Sequence, residues 1–205
     1  FYDFCITSRY VTEVPDTSRI RKVAKSHLKV NEVDPEYYLP DEIRDLYAEA
    51  ASQDNGNSRV RWPSRDLAMC SFLAELGLRA SELFSADRDW LSQERLDDQD
   101  GQATWMLAVR GKGRRLRRLP FSEELVSAHD RWQEERMDRF GSCLSDDPMF
   151  VTNDGERFNY GRLRYWMRLL NRQAGLRSAR SLHSLRHTAG VQLAADGVPM
   201  NVIQS

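Results

Sequence analysis

Apolar positions recur along the chain at two different spacings, and the spacings predict its elements. Pro40 followed by Asp41 and Glu42 predicts a helix start with acids in its first turn, running towards Ala51. From Ser64, residues Leu67, Cys70, Leu73 and Ala74 lie at three- and four-residue intervals, which predicts one buried helix face ending at Gly77. A short second helix is expected near Ser81. The period then changes. Trp90-Leu91, Thr104 to Val109 and Leu116 to Pro120 predict a small antiparallel sheet, the last two strands forming a hairpin around Gly111-Lys112-Gly113. Ser122 before Glu123 and Glu124 opens a helix to about Phe140. Pro148 to Val151 is a short extended piece, and Asn153-Asp154-Gly155 a turn. Leu163, Trp166, Met167 and Leu170 form the apolar face of a helix stopping at Gly175, with Tyr165 expected to pack inside it. A further helix covers Leu182 to Ala195 and stops near Gly197; Pro199 to Ser205 resembles the first turns of another. The fold class expected is therefore α+β, mainly helical, with a small antiparallel sheet on one side.

Upstream, Phe1 to Val11 is aromatic and apolar, and Pro15 and a basic run (Arg19, Arg21, Lys22, Lys25) follow. The expected organisation is the end of an upstream helical domain over 1–15, a linker over 16–33 and a main domain over 34–205. Because the chain opens at Phe1 rather than Met, it is expected to be a fragment at its start.

With 40% hydrophobic and 30% charged residues, the 205-residue chain is balanced for a folded globular domain rather than a disordered one. It contains no apolar run near the roughly 18 residues that span a bilayer, so no membrane association is expected. Three widely spaced cysteines (Cys5, Cys70, Cys143) suit neither a disulfide framework nor a metal-ligand set, and point to a reducing cytoplasm. Cys5 and Cys70 are expected to be small core side chains. The net charge of −1 averages over uneven patches: acids gather at Asp41 to Glu49 and Glu94 to Asp100, and bases between Arg110 and Arg118.

Three clusters can carry chemistry. In Gly77-Leu78-Arg79-Ala80-Ser81-Glu82, a sharp turn at glycine sets Arg79 at a helix start with Glu82 one turn on, where a carboxylate can orient the guanidinium. Taken alone, a surface ion pair suits these residues better. The second cluster is the hairpin bearing Lys112 between glycines. Its arginines, Arg110, Arg114, Arg115, Arg117 and Arg118, can neutralise a nucleic-acid backbone, or simply form a solvated basic face. The third is His183-Ser184-Leu185-Arg186-His187-Thr188. His183 and Arg186 at i and i+3 project from one helix face, and His187 is expected on a different face as a packed, hydrogen-bonded helper.

In order and spacing, Gly-Leu-Arg-x-Ser-Glu-Leu, then Gly-Lys-Gly on a basic hairpin, then His-x-Leu-Arg-His-Thr resembles the tyrosine recombinases, the family of phage integrases and chromosome-dimer resolvases. The resemblance runs from about Asp34 to the end. It implies that Phe1 to Pro15 closes a core-binding domain, and that 34–205 is a catalytic domain lacking its C-terminal part. It also implies that Arg79 and Arg186 clamp the scissile phosphate, Lys112 protonates the departing 5′ oxygen, and His183 assists proton transfer, with Glu82 and His187 supporting. Two guanidinium forks suit the negative charge of a five-coordinate phosphorus, so neither metal nor nucleotide cofactor is expected. Double-stranded DNA is the implied partner, with a homotetramer on two DNA sites in the intact protein. The family's nucleophilic tyrosine follows these motifs, whereas Tyr160 and Tyr165 precede His183, so these 205 residues are expected not to cleave DNA. A type IB topoisomerase shares this chemistry, and a catalytically inactive DNA-binding remnant or regulator is the alternative from another class.

Overall fold

The computed structural model describes residues 37–53, 59–95, 103–110, 116–177 and 180–198. The segments expected to be an upstream remnant and linker, the hairpin tip with Lys112, Arg114 and Arg115, and the last turns after Val198 lie outside those residues, as does Cys5.

The first helix, α1 (Pro40–Ala51), starts at proline, and the Glu42 carboxylate caps it by accepting from the Leu39 N–H at 2.8 Å. Next comes α2 (Pro63–Glu75), one residue earlier than the periodicity suggested, because Pro63 supplies a preset φ at its first position. Helix α2 is the centre of the domain. Ala68, Met69, Cys70, Phe72 and Leu73 are all fully buried, so it is covered on nearly every side. Helices α4 (Glu123–Phe140) and α6 (Leu182–Ala195) pack against it together with α1. The short α3 (Ala80–Ser85) follows the turn at Gly77.

Trp90, expected to open a strand, instead ends a 3-10 turn (Arg88–Trp90) that leads into β1 (Leu91–Arg95). With β2 (Ala103–Arg110) and β3 (Leu116–Pro120) it forms an antiparallel sheet in the order β1-β2-β3, with Leu107 facing both Leu91 and Leu119. Leu107 and Val109, two residues apart, bury the same face of β2. The architecture is mainly helical α+β, as the spacings predicted.

An aromatic cluster fills the space between α2 and α4. Phe72 meets Phe121 and Phe150 edge-on at 5.0 and 5.1 Å, and Trp132 donates from Nε1 to the Met149 carbonyl at 3.0 Å. Helix α5 (Tyr160–Gln173), capped by Asn159, buries Leu163, Trp166, Met167 and Leu170. Tyr165 does not pack with them, contrary to expectation. It lies one position from Trp166, about 100° around the helix, and is 45% exposed beneath the Arg168 guanidinium.

Buried charge also ties the elements together. Asp66 accepts from Arg61 Nε at 2.6 Å and from Arg65 Nη2 at 2.7 Å, with all three side chains fully enclosed. Arg61 continues to Glu49 and Gln173, joining α1, α2 and α5. Arg180 forks onto the Glu42 carboxylate, and the Tyr38 N–H donates to Thr188 Oγ1 at 2.9 Å, fixing the start of α1 against α6.

Candidate functional site

Helix α2 ends at Glu75 with Leu76 as its C-cap, and Gly77 turns the chain with φ +58°, a conformation costly for any side-chain-bearing residue. A Cβ at Gly77 would lie 3.2 Å from the Cβ of Ala189, so the turn sits directly against α6. The Gly77 carbonyl accepts a hydrogen bond from Arg186 Nη1 on that helix. Two residues on, Arg79 takes an extended conformation as the N-cap of α3, and Glu82 is the third residue of the helix. Its carboxylate reaches back to the Arg79 N–H at 2.8 Å and to Arg79 Nη1 at 2.8 Å. The i, i+3 relation foreseen between these residues is therefore a capping arrangement that fixes backbone and side chain together.

Glu82 serves more than Arg79. Arg117 on β3 donates from Nη2 to Glu82 Oε2 at 2.9 Å, and Arg186 Nη1 lies 3.9 Å from the same oxygen. Three guanidinium groups from α3, the sheet and α6 thus gather on one carboxylate, whose side chain is only 5% exposed. Burial by itself would raise the Glu82 pKa. The Arg79 N–H, the Arg79 guanidinium and the charge of Arg117 outweigh it and hold the carboxyl below its usual range. Burial and the neighbouring charges of Arg79 and Arg117 lower the Arg186 pKa, with Glu82 opposing. An arginine so perturbed keeps its proton at neutral pH.

The gathering carries three positive charges against one negative, and it is open to solvent on one side. The Arg79 side chain is 52% exposed, Arg186 24% and Arg117 19%. An oxyanion with two free oxygens suits such a surface, because planar forks can grip it from two directions. Among the described residues, no three His, Cys, Asp or Glu side chains gather as a metal site.

His183 is exposed in the first turn of α6, three residues before Arg186, and Ser181 caps that turn. His187 does not occupy a different face from His183. Four residues is little more than one helical turn, so the rings meet edge-on at 4.2 Å and the two Nε2 atoms are 2.8 Å apart. In that hydrogen bond one Nε2 donates and the other accepts, according to the tautomers of the two rings.

The structure places the expected backbone-binding arginines unequally. Arg110 lies over the Trp90 ring at 5.9 Å, and Arg118 pairs with Glu94 at 2.7 Å. Arg117, grouped with them by composition, turns inward to Glu82 instead. Strand alternation carried that signal: Arg117 and Leu119 share the less exposed face of β3.

Residues 36–205 match the phage integrase family. The chain is 34% identical to tyrosine recombinase XerC of Corynebacterium efficiens over 142 residues, covering 68% of this chain and 41% of that protein. It is 31% identical to tyrosine recombinase XerD of Pseudomonas putida, covering 68% and 44%. Among solved structures, XerA recombinase superposes with a TM-score of 0.63 at 29% identity, covering 83% of this chain and 54% of that one. The chain spans about half the length of the curated relatives it matches.

Proposed function

The chain belongs to the phage integrase family, the tyrosine recombinases, and on that premise we propose that it forms the larger part of a catalytic domain that breaks and rejoins duplex DNA at specific sites. Arg79 and Arg186 grip the two non-bridging oxygens of the scissile phosphate, and Glu82 holds Arg79 in the gripping orientation. The observation that carries this reading is the convergence of arginines from separate elements on the single buried carboxylate of Glu82. Preformed donors of this kind stabilise charge as it develops, each contributing about 3 kcal/mol to lowering the barrier.

A tyrosine hydroxyl attacks phosphorus and loses its proton towards His183, which His187 steadies. The P–O5′ bond breaks, and Lys112 donates a proton to the departing 5′ oxygen. The product is a 3′-phosphotyrosyl link that a second 5′ hydroxyl reverses without ATP. All 7 tyrosines of the chain precede His183, so the nucleophile comes from outside these 205 residues, which by themselves bind DNA without cutting it. In the same reading, 34–205 is the catalytic domain, 16–33 a linker and 1–15 the end of a core-binding domain. Arg110, Arg114, Arg115 and Arg118 neutralise DNA backbone beside the site. The assembly is a homotetramer on two DNA sites. The Tn1549 transposon integrase, solved in complex with transposon right end DNA, has the same fold (TM-score 0.61, 17% identity), in keeping with DNA as the partner.

The test begins with a duplex selected from a randomised pool for binding by the chain. A version nicked so that the released strand diffuses away is then offered to the intact protein. A covalent protein–DNA adduct is expected with wild type, and accumulation at least about 100-fold slower with Arg79→Ala or Arg186→Ala. An Arg186→Ala protein that traps adduct at the normal rate overturns the assignment. Adduct formed by the 205-residue chain alone overturns the placement of the nucleophile. Relaxation of supercoiled DNA without strand exchange between sites would indicate a topoisomerase.

A further inference from the structure

We propose that Arg117 is a positioning residue of the phosphate clamp, acting through Glu82 rather than by touching DNA; this rests on the clamp reading of Arg79 and Arg186. Glu82 has two oxygens for three guanidinium groups. Oε1 takes Arg79 Nη1, while Oε2 takes the Arg79 N–H and Arg117 Nη2 and stands 3.9 Å from Arg186 Nη1. With Oε2 occupied by Arg117, Arg186 is left beyond hydrogen-bonding distance of the carboxylate and turns one Nη1 donor to the Gly77 carbonyl. Arg117 therefore stops Glu82 from drawing Arg186 into a closed ion pair.

It also anchors the carboxylate from the sheet, while Arg79 holds it from the start of α3. A carboxylate held by a single partner can swing with it, whereas one held from α3 and from the sheet cannot. Arg79 is then oriented by a fixed group. The charge of Arg117 contributes as well, since it offsets the negative charge of Glu82 that would otherwise weaken the pull of the clamp on an anion.

The environment of Arg117 fits a functional rather than a merely stabilising role. Its side chain is 19% exposed, less than either Arg79 or Arg186. Its Nε is buried with no hydrogen-bond partner. An unsatisfied buried donor costs stability, and such groups are retained mainly where another requirement fixes the side chain. Here that requirement is the reach from β3 to Glu82.

The experiment measures affinity of the intact protein for the selected duplex and for copies in which one phosphate at a time is a neutral methylphosphonate. In wild type, neutralising the clamped phosphate is expected to weaken binding about tenfold or more. Arg117→Gln should shrink that penalty to about twofold or less, because the clamp is no longer aligned. In a Glu82→Gln background, Arg117→Gln should change it no further, since both act through one contact. If Arg117→Gln keeps the full penalty while Arg79→Ala and Arg186→Ala abolish it, the role of Arg117 is refuted and the clamp stands. If no phosphate shows a penalty sensitive to Arg79 or Arg186, the clamp itself falls. An effect of Arg117→Gln that persists undiminished in Glu82→Gln protein means direct contact with DNA and refutes positioning. Should Arg117→Gln fail to fold by circular dichroism, Arg117→Lys is read in its place; it keeps the charge with a changed reach, and a penalty equal to wild type's in both backgrounds would refute the proposal.

Discussion

Replacing Gly77 by alanine probes the joint on which the site is built. Two costs act at this position. With φ at +58°, an alanine pays about 1–2 kcal/mol for the left-handed conformation, and the stiffer unfolded chain returns about 0.4–1 kcal/mol. The new Cβ also meets the Ala189 Cβ at 3.2 Å, where the neighbour is itself a short, rigid side chain on α6 and cannot rotate away. Helix α6 must move a few tenths of an ångström, and overpacking of this kind costs about 1–3 kcal/mol. The sum is about 2–4 kcal/mol, or a fall in Tm of about 5–15 °C for a chain of this size. Gly175→Ala separates the terms. It has φ +70° but nothing within 4 Å of its Cβ, so it should lose only about 1 kcal/mol and about 2–4 °C. Thermal unfolding followed by circular dichroism compares the two. Because Gly77 also accepts from Arg186, its alanine variant should weaken DNA binding while Gly175→Ala leaves it intact. A Gly77→Ala protein no less stable than Gly175→Ala would refute the close approach of turn and helix.

Asp66→Ala should destabilise by about 3–5 kcal/mol in urea unfolding, because it strands Arg61 and Arg65 in the interior without their shared carboxylate. A loss under about 1 kcal/mol would mean that the network is not closed to water. Burial holds the His129 pKa down, against the pull of Asp130, so stability is full above about pH 6.5 and is lost as pH falls through the lowered value. His129→Phe, which can pack against Phe72 and Phe121, should remove that slope from the urea midpoint; an unchanged slope would contradict it. The depressed Glu82 pKa has the same sign at lower pH: its stabilisation is present above about pH 4.3 and vanishes as pH drops through the folded value. Glu82→Gln should therefore be less stable than wild type at pH 7, with the gap closing in acid; a gap that is constant with pH would refute the ion-pair origin.

Much of the fold was legible because local chemistry agreed with the tertiary arrangement. Ser122 stands before two glutamates and does cap α4, and the spacing from Leu163 to Leu170 does mark the buried stripe of α5. The turn at Gly77 and the pairing of Arg79 with Glu82 were legible too, since a glycine and a carboxylate one turn apart act within a few residues, whereas the Glu82 cap on the Arg79 N–H is a finding of the structure. What could not be read depended on distant partners. Arg61, Asp66, Glu49 and Gln173 are ordinary polar letters until folding buries them together. Arg117 resembles its neighbours in composition, which ignores the side of a strand a residue faces. Position within an apolar helix predicts packing for Tyr165, but a helix turns adjacent residues by about 100°, so Tyr165 faces away from the stripe that buries Trp166. For His187 the complementary geometry applies: four residues nearly complete a turn, so it shares a face with His183.

A structure of the intact protein on the selected duplex addresses the phosphate clamp directly. The account predicts one backbone phosphate at the mouth of the Glu82 cluster, its two non-bridging oxygens within about 2.7–2.9 Å of guanidinium nitrogens of Arg79 and Arg186. DNA seated on another face of the domain, with no phosphate shared by those two arginines, would contradict it.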